Sequence, residues 1–153
     1  DLLYALRTPR GSETASPDRD RTAAVGRAGD IAGHPLQAEV EGVIRVGIRS
    51  FGLYPDGSFR PEEQVDRARF ATLLEELLVR IAGDGTAAGR SAGGRSPFPD
   101  LGTDVPYYPA AVLVTSRGIM ELGDALTGAF APQRPVGGAD ALLMLRRVRE
   151  ELR

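Results

Sequence analysis

The chain carries an internal repeat, and that repeat constrains its fold more than any other feature. Gly47-Ile48 recurs as Gly118-Ile119, Gly57 as Gly128, Phe59 as Phe130, Pro61 as Pro132 and Val65 as Val136, all 71 residues apart. The offset continues with Ala68 on Ala139, Leu73 on Met144, Leu74 on Leu145 and Ile81 on Leu152. Upstream, Asp30-Ile31 answers Asp100-Leu101 with one residue of slack. A further step of the same size lays Leu73, Leu74 and Leu77 on Leu2, Leu3 and Leu6. The chain therefore divides into the last helix of an incomplete repeat (1–8), a linker (9–29), a repeat (30–82), a second linker (83–97) and a second repeat (98–151). Both linkers are rich in Gly, Ser and Arg and poor in apolar residues, the composition of surface connections.

Each repeat has the same grammar. A short helix comes first, Leu36–Gly47 in one unit and Pro109–Gly118 in the other. Leu36, Val40, Val43 and Ile44 recur at helical spacing and form one apolar stripe ending at Gly47. Gly47 and Gly118 suit helix ends, where a left-handed residue satisfies stray carbonyls, and Pro109 suits a first turn. A loop follows, with Pro55-Asp56-Gly57 as a turn in which Pro sets φ and Gly takes the positive-φ position. Phe59 and Phe130 are expected to plug these loops into the core. A longer helix then begins at Asp66, whose carboxylate can cap it, and buries Phe70, Leu73, Leu74, Leu77, Leu78 and Ile81. Its second copy runs from about Gly138 to Glu151, with Ala141, Leu142, Leu145 and Val148 facing in. The predicted fold is mainly α: tandem helix–loop–helix repeats packed into one pseudo-symmetric bundle, since a two-helix unit cannot bury its apolar faces alone.

Composition removes whole classes of function. The 153 residues hold 19 basic and 21 acidic side chains, a net charge of −2, which excludes a strongly basic nucleic-acid binder. No cysteine is present, so disulfides, thiolate metal sites and cysteine nucleophiles are excluded. One histidine permits neither a His metal cluster nor an imidazole relay. No apolar run reaches the roughly 18 residues of a membrane-spanning helix. The chain opens on Asp1 rather than Met, so a leader removed upstream is compatible with the sequence. All the positive charge is Arg, and Lys and Asn are both absent. Codon bias in a GC-rich genome accounts for that, so Arg richness by itself is weak evidence of anion binding.

The grammar resembles the S-layer homology domain. The residues that carry it are Asp30-Ile31, Gly47-Ile48, Tyr54-Pro-Asp-Gly-Ser-Phe-Arg-Pro61 and Gln64-Val-Asp-Arg-Ala-Arg-Phe70. The second copy has Phe98-Pro-Asp-Leu101, Gly118-Ile119, Thr127-Gly-Ala-Phe-Ala-Pro132 and Pro135-Val-Gly-Gly-Ala-Asp140. The resemblance implies helix–loop–helix units, usually three around a pseudo-threefold axis. It also implies non-covalent anchoring to cell-wall polysaccharide in grooves between units, hence an extracytoplasmic place in the cell envelope, in the periplasm or at the surface. Arg67 matches the family's ligand-binding arginine. Gly138 stands where the second copy would carry its own, and with no Trp in the chain Pro35 and Tyr107 or Tyr108 occupy the region of the family's groove tryptophan. The expected ligand-binding residues are therefore Arg67, Tyr107 and Tyr108, with Asp56 and Gly57 in the adjoining turn. The alternative is a protein–protein scaffold, such as a peripheral subunit of an extracytoplasmic membrane-associated complex. In the first case Arg67 and Tyr107 face a concave groove; in the second the groove is closed and an apolar patch faces a partner.

No cofactor, metal or catalytic residue is expected. Asp18-Arg-Asp20 and Asp56-Gly57 lack the six to eight oxygens that calcium takes. Asp100 and Asp104 have no base or nucleophile beside them and read as caps at a helix entry. The glycines of Gly83–Gly94 neither follow a strand nor lead into Gly-Lys-Ser/Thr, so they make no phosphate loop. His34 reads as an entry-loop residue beside the first helix cap.

Overall fold

A computed structural model describes residues 28–82 and 95–152. Within them lie four α-helices, two short 3-10 turns and no strand: α1 (Gln37–Val46), α2 (Arg67–Ala82), α3 (Tyr108–Ser116) and α4 (Gly138–Glu151). The mainly helical expectation holds, with helix ends within two residues of those read from the sequence. The expected helix at 1–8 lies outside the described residues, as do Asp18-Arg-Asp20 and Gly83–Gly94.

The helix ends follow from local chemistry. Gly47 closes α1 in the left-handed conformation, φ 73°, and its amide donates to Val43 and Ile44. The Arg80 guanidinium, reaching over from α2, donates to the Val46 and Gly47 carbonyls. A cation there also complements the negative end of the α1 dipole. At the start of α2 the Asp66 carboxylate accepts the Arg69 amide at 2.8 Å, the expected cap. The remaining early amides go across to the second unit: Arg67 N–H donates to the Arg134 carbonyl and Ala68 N–H to that of Pro132, each at 3.0 Å. The Val136 amide returns the exchange to Val65 O at 2.9 Å. The start of α2 is thus stitched antiparallel to the extended segment before α4.

Two loops 71 residues apart share one fixing device. The Asp30 carboxylate accepts the amides of Phe59 (2.9 Å) and Arg60 (2.7 Å). The Asp100 carboxylate accepts those of Phe130 (2.8 Å) and Ala131 (2.7 Å). Arg60 and Ala131 are the positive-φ non-glycine residues among those described, at 59° and 56°. The turn of the backbone there points two successive amides at one spot, a concavity that wants an anion. Asp100 was expected to cap a helix; it holds this loop instead, because those amides have no helical partner.

The main core gathers Phe70, Ala71, Leu74 and Leu78 from α2, Ala110, Leu113 and Val114 from α3, and Met144 and Val148 from α4. Phe130 is fully buried in it, 5.5 Å from the tilted Phe98 ring. A smaller core holds Ala28, Ile31 and Val40, with Ile44, Leu53 and Phe59 packed against it. Both loop phenylalanines therefore plug inward. The most extensive helix contact is α2 with α3, across the two units, and α2 meets α4 over a shorter length. Four residues expected to face in do not: Leu36 (56% exposed), Ile81 (62%), Leu142 (61%) and Leu145 (37%). The last two lie on a flank of α4 that no described helix covers.

Candidate functional site

A groove of about 280 Å³ opens beside the start of α2, between it, the extended segment before α4, and α4 itself. Arg67, Glu121, Arg134, Asp140 and Arg147 supply its polar lining, and Leu122 and Leu143 part of its apolar lining. The positions follow from the fold. Arg67 is the first residue of α2, Arg134 sits on the segment paired to it, Asp140 is in the first turn of α4, and Arg147 lies two turns further on.

Arg67 is 8% exposed, not the open side chain that a helix's first turn usually presents. Its Nε donates to the Phe130 carbonyl at 2.8 Å and its Nη2 to the Glu121 carbonyl. Its guanidinium carbon lies 4.9 Å from the Phe130 ring centre. Five N–H groups are available to an arginine, so three remain for the groove. Burial, then the like charge of Arg134, pull the Arg67 pKa below its ordinary value, while Asp100 and Asp140 oppose them. An arginine remains charged regardless. Arg147 donates to the Gly118 and Ile119 carbonyls, each at 3.2 Å, and pairs with Glu121 at 2.9 Å. Arg134 is exposed, donates from Nη1 to the Gly123 carbonyl at 2.7 Å, and makes no ion pair among the described residues. It is the most available cation of the three. Three guanidiniums against Asp140 and Glu121 leave the groove net positive, fit for a carboxylate-bearing ligand.

The expected site residues do not come together. Tyr107 is half-buried beside a second, shallower groove shared with Asp66, Arg69, Thr72 and Pro106, which Arg67 does not line. Tyr108 is 5% exposed and part of the core, with no ring face left for a ligand. Asp56 is held within its own turn: Oδ1 accepts the Ser58 amide (2.9 Å) and hydroxyl (2.6 Å), and Oδ2 pairs with Arg60 at 3.0 Å. These partners lower its pKa to about 2, the Ser58 hydroxyl and amide first and Arg60 after them. Gly57 has φ 79° and donates its amide to the Tyr54 carbonyl at 2.8 Å, the turn read from the sequence. The Tyr54 ring lies under the Arg60 guanidinium at 4.0 Å, and its hydroxyl joins Glu63 and Arg69, each at 2.7 Å. His34 accepts the Leu36 amide on Nδ1 at 3.1 Å, so its proton sits on Nε2, which faces Glu62 at 3.2 Å. That is the entry-loop role expected of it. No cluster of potential metal ligands occurs among the described residues.

The loop that cradles Phe59, and the start of α2 that sets Arg67, are the stretch with a recognisable relative. Residues 51–71 match the S-layer homology domain. The match takes in the Tyr54–Ser58 turn, the positive-φ Arg60 and the first turn of α2, and so includes one groove residue, Arg67. S-layer homology domains, as a family, are non-catalytic modules that bind cell-wall polymers. No curated protein and no solved structure matches the chain. No helix among the described residues is long and apolar enough to cross a membrane.

Sequence reasoning missed Arg134, Asp140 and Arg147. A signal was present at the 71-residue offset, where they stand on Glu63, Arg69 and Glu76, each of opposite charge. Reversal at three groove positions separates the two units chemically while the apolar grammar stays the same.

Proposed function

We propose that the chain is a cell-envelope binding module that holds its protein to an acidic wall polysaccharide through the groove between its two S-layer-homology-like repeats. The observation that carries this is the convergence of Arg67, Arg134 and Arg147 on one groove adjoining the S-layer homology segment. Arg67 keeps the groove wall in place through two backbone carbonyls and offers its remaining N–H groups to the ligand. Arg134 supplies the exposed fork that a carboxylate takes bidentately. Leu122 and Leu143 give apolar ground for a sugar ring. Tyr107, with Arg69, forms a shallower secondary contact on the neighbouring groove. The reading places the protein outside the cytoplasm, needs no cofactor and assigns no catalytic residue.

The test is sedimentation with purified cell-wall sacculi, comparing wild type, Arg134→Ala and the distant control Arg45→Ala. The expected result is saturable binding that Arg134→Ala weakens about tenfold, the loss of one charge-assisted contact, and that Arg45→Ala leaves unchanged. Absence of saturable binding, or indifference to Arg134, overturns the reading. A scaffold role is the second reading, and one observation favours it: Leu126 is 98% exposed, and Leu142 and Leu143 are more than half exposed. Exposed large apolar side chains are the kind of surface that a protein partner covers.

A further inference from the structure

Among the described residues, the strongest helix contact crosses the units, from the second helix of one (α2) to the first helix of the next (α3). The face that α2 gives to the shared core includes Ala71, Leu74 and Leu78, all at most 1% exposed, with the half-buried Glu75 on the same flank. Among the described residues, two helices are left without such a contact. At the 71-residue offset the flank recurs on α4 as Leu142, Leu145, Arg146 and Arg149, all exposed. The spacing of i, i+3, i+4 and i+7 keeps them on one face. At the other end α1 makes none of the extensive helix contacts. Its counterparts of Tyr107, Ala110, Val114 and Arg117 are Leu36, Glu39, Val43 and Val46. Leu36 and Val46 are 56% and 62% exposed, Glu39 is exposed and Val43 is half-buried. The α1 stripe is apolar and acidic; the α4 stripe is apolar and basic. Neither Arg146, Arg149 nor Glu39 makes an ion pair among the described residues.

We propose that the chain associates with a second copy of itself head to tail, the α4 stripe of one copy seating on the α1 stripe of the next. The contact repeats between molecules what α2 and α3 do within one, and the charges decide its direction. An α1–α1 pairing sets Glu39 near its own copy, and an α4–α4 pairing sets four arginines together. Only the α4–α1 pairing brings opposite signs face to face. Such a contact is heterologous, so it builds rings or open chains rather than a closed twofold dimer.

The experiment is analytical ultracentrifugation of the full 153-residue chain over a wide concentration range. Wild type is expected to form species beyond the monomer. Glu39→Arg alone, the double variant Arg146→Glu/Arg149→Glu alone, and Leu142→Arg alone are each expected to weaken association at least about tenfold, since like charges face each other or a charge enters the seam. Circular dichroism checks that these surface changes leave the helices in place. The two charge variants mixed in equal amounts recover association, because each then offers the other a complementary face. A wild type that stays monomeric overturns the proposal, including the case in which Leu2, Leu3 and Leu6 of the same chain cover the stripes. Association indifferent to the charge variants, or a mixture that fails to recover it, also overturns it.

Discussion

Asp56 and Arg67 show how two polar side chains of one repeat take opposite parts. The Asp56 carboxylate is lowered to about 2 from 3.8 by the Ser58 hydroxyl and amide and by Arg60. A depressed acid contributes fully above its unfolded pKa and loses that contribution as pH falls through its folded value. The Tyr54–Ser58 turn is therefore expected to hold above about pH 4 and to loosen between about pH 4 and 2. Carboxyl NMR of Asp56 checks this: a midpoint near 2 is expected, and one near 4 contradicts the turn geometry. Arg67 instead supports the neighbouring unit. Arg67→Met strands the Phe130 and Glu121 carbonyls and is expected to cost about 2–3 kcal/mol in urea unfolding, the range for hydrogen bonds from a charged donor. A loss under about 0.5 kcal/mol would place that side chain in solvent. The turn was legible because Pro-Asp-Gly carries its own mechanism within a few residues. The burial of Arg67 was not, because its acceptors lie 54 and 63 positions away.

The helices divide into those that the local sequence determines and those whose faces depend on a neighbour. The cap of α2 belongs to the first kind, and Asp66→Ala is expected to cost about 1 kcal/mol, read as a lower thermal midpoint. The capping chemistry at the ends of α1 and α3 also repeats in kind: Arg80 serves the Val46 and Gly47 carbonyls, and Arg147 those of Gly118 and Ile119. The two arginines come from positions one helical turn apart in their repeats, so alignment by offset does not pair them. Glu76, at the Arg147 position, accepts the Arg49 and Ser50 amides instead. Burial raises its pKa, and these amides, the Ser50 hydroxyl and Arg80 outweigh that and hold it below the ordinary value. The inward face of α4 belongs to the second kind. Helical spacing puts Leu142 and Leu145 on the inward face of α4, an expectation that assumes a covering helix. Helical period reports which residues share a face, not whether another helix arrives to bury it.

At the scale of the molecule, one core draws on residues from both of the described stretches, 28–82 and 95–152. α2 from the first unit packs with α3 and α4 from the second around Phe130, and the start of α2 is paired by backbone to the segment before α4. Asp100 secures that loop from outside. Asp100→Ala is expected to destabilise the chain by about 1 kcal/mol in urea unfolding, moderated by water reaching the freed amides; no change would mean that Phe130 is held by packing alone. The apolar grammar and the turns of this arrangement were legible from the repeat. The groove was legible only at Arg67, because the charges facing it differ in sign between the units and so carry no repeating signal. The groove beside the start of α2 is the proposed binding surface. The most direct measurement is an amide NMR titration of the chain with solubilised acidic wall polysaccharide. Saturable shifts concentrated at Arg67, Arg134, Val136, Asp140 and Arg147 are expected. Saturable shifts confined to α1 and the Pro55–Arg60 turn, or no saturable shifts at all, would contradict it.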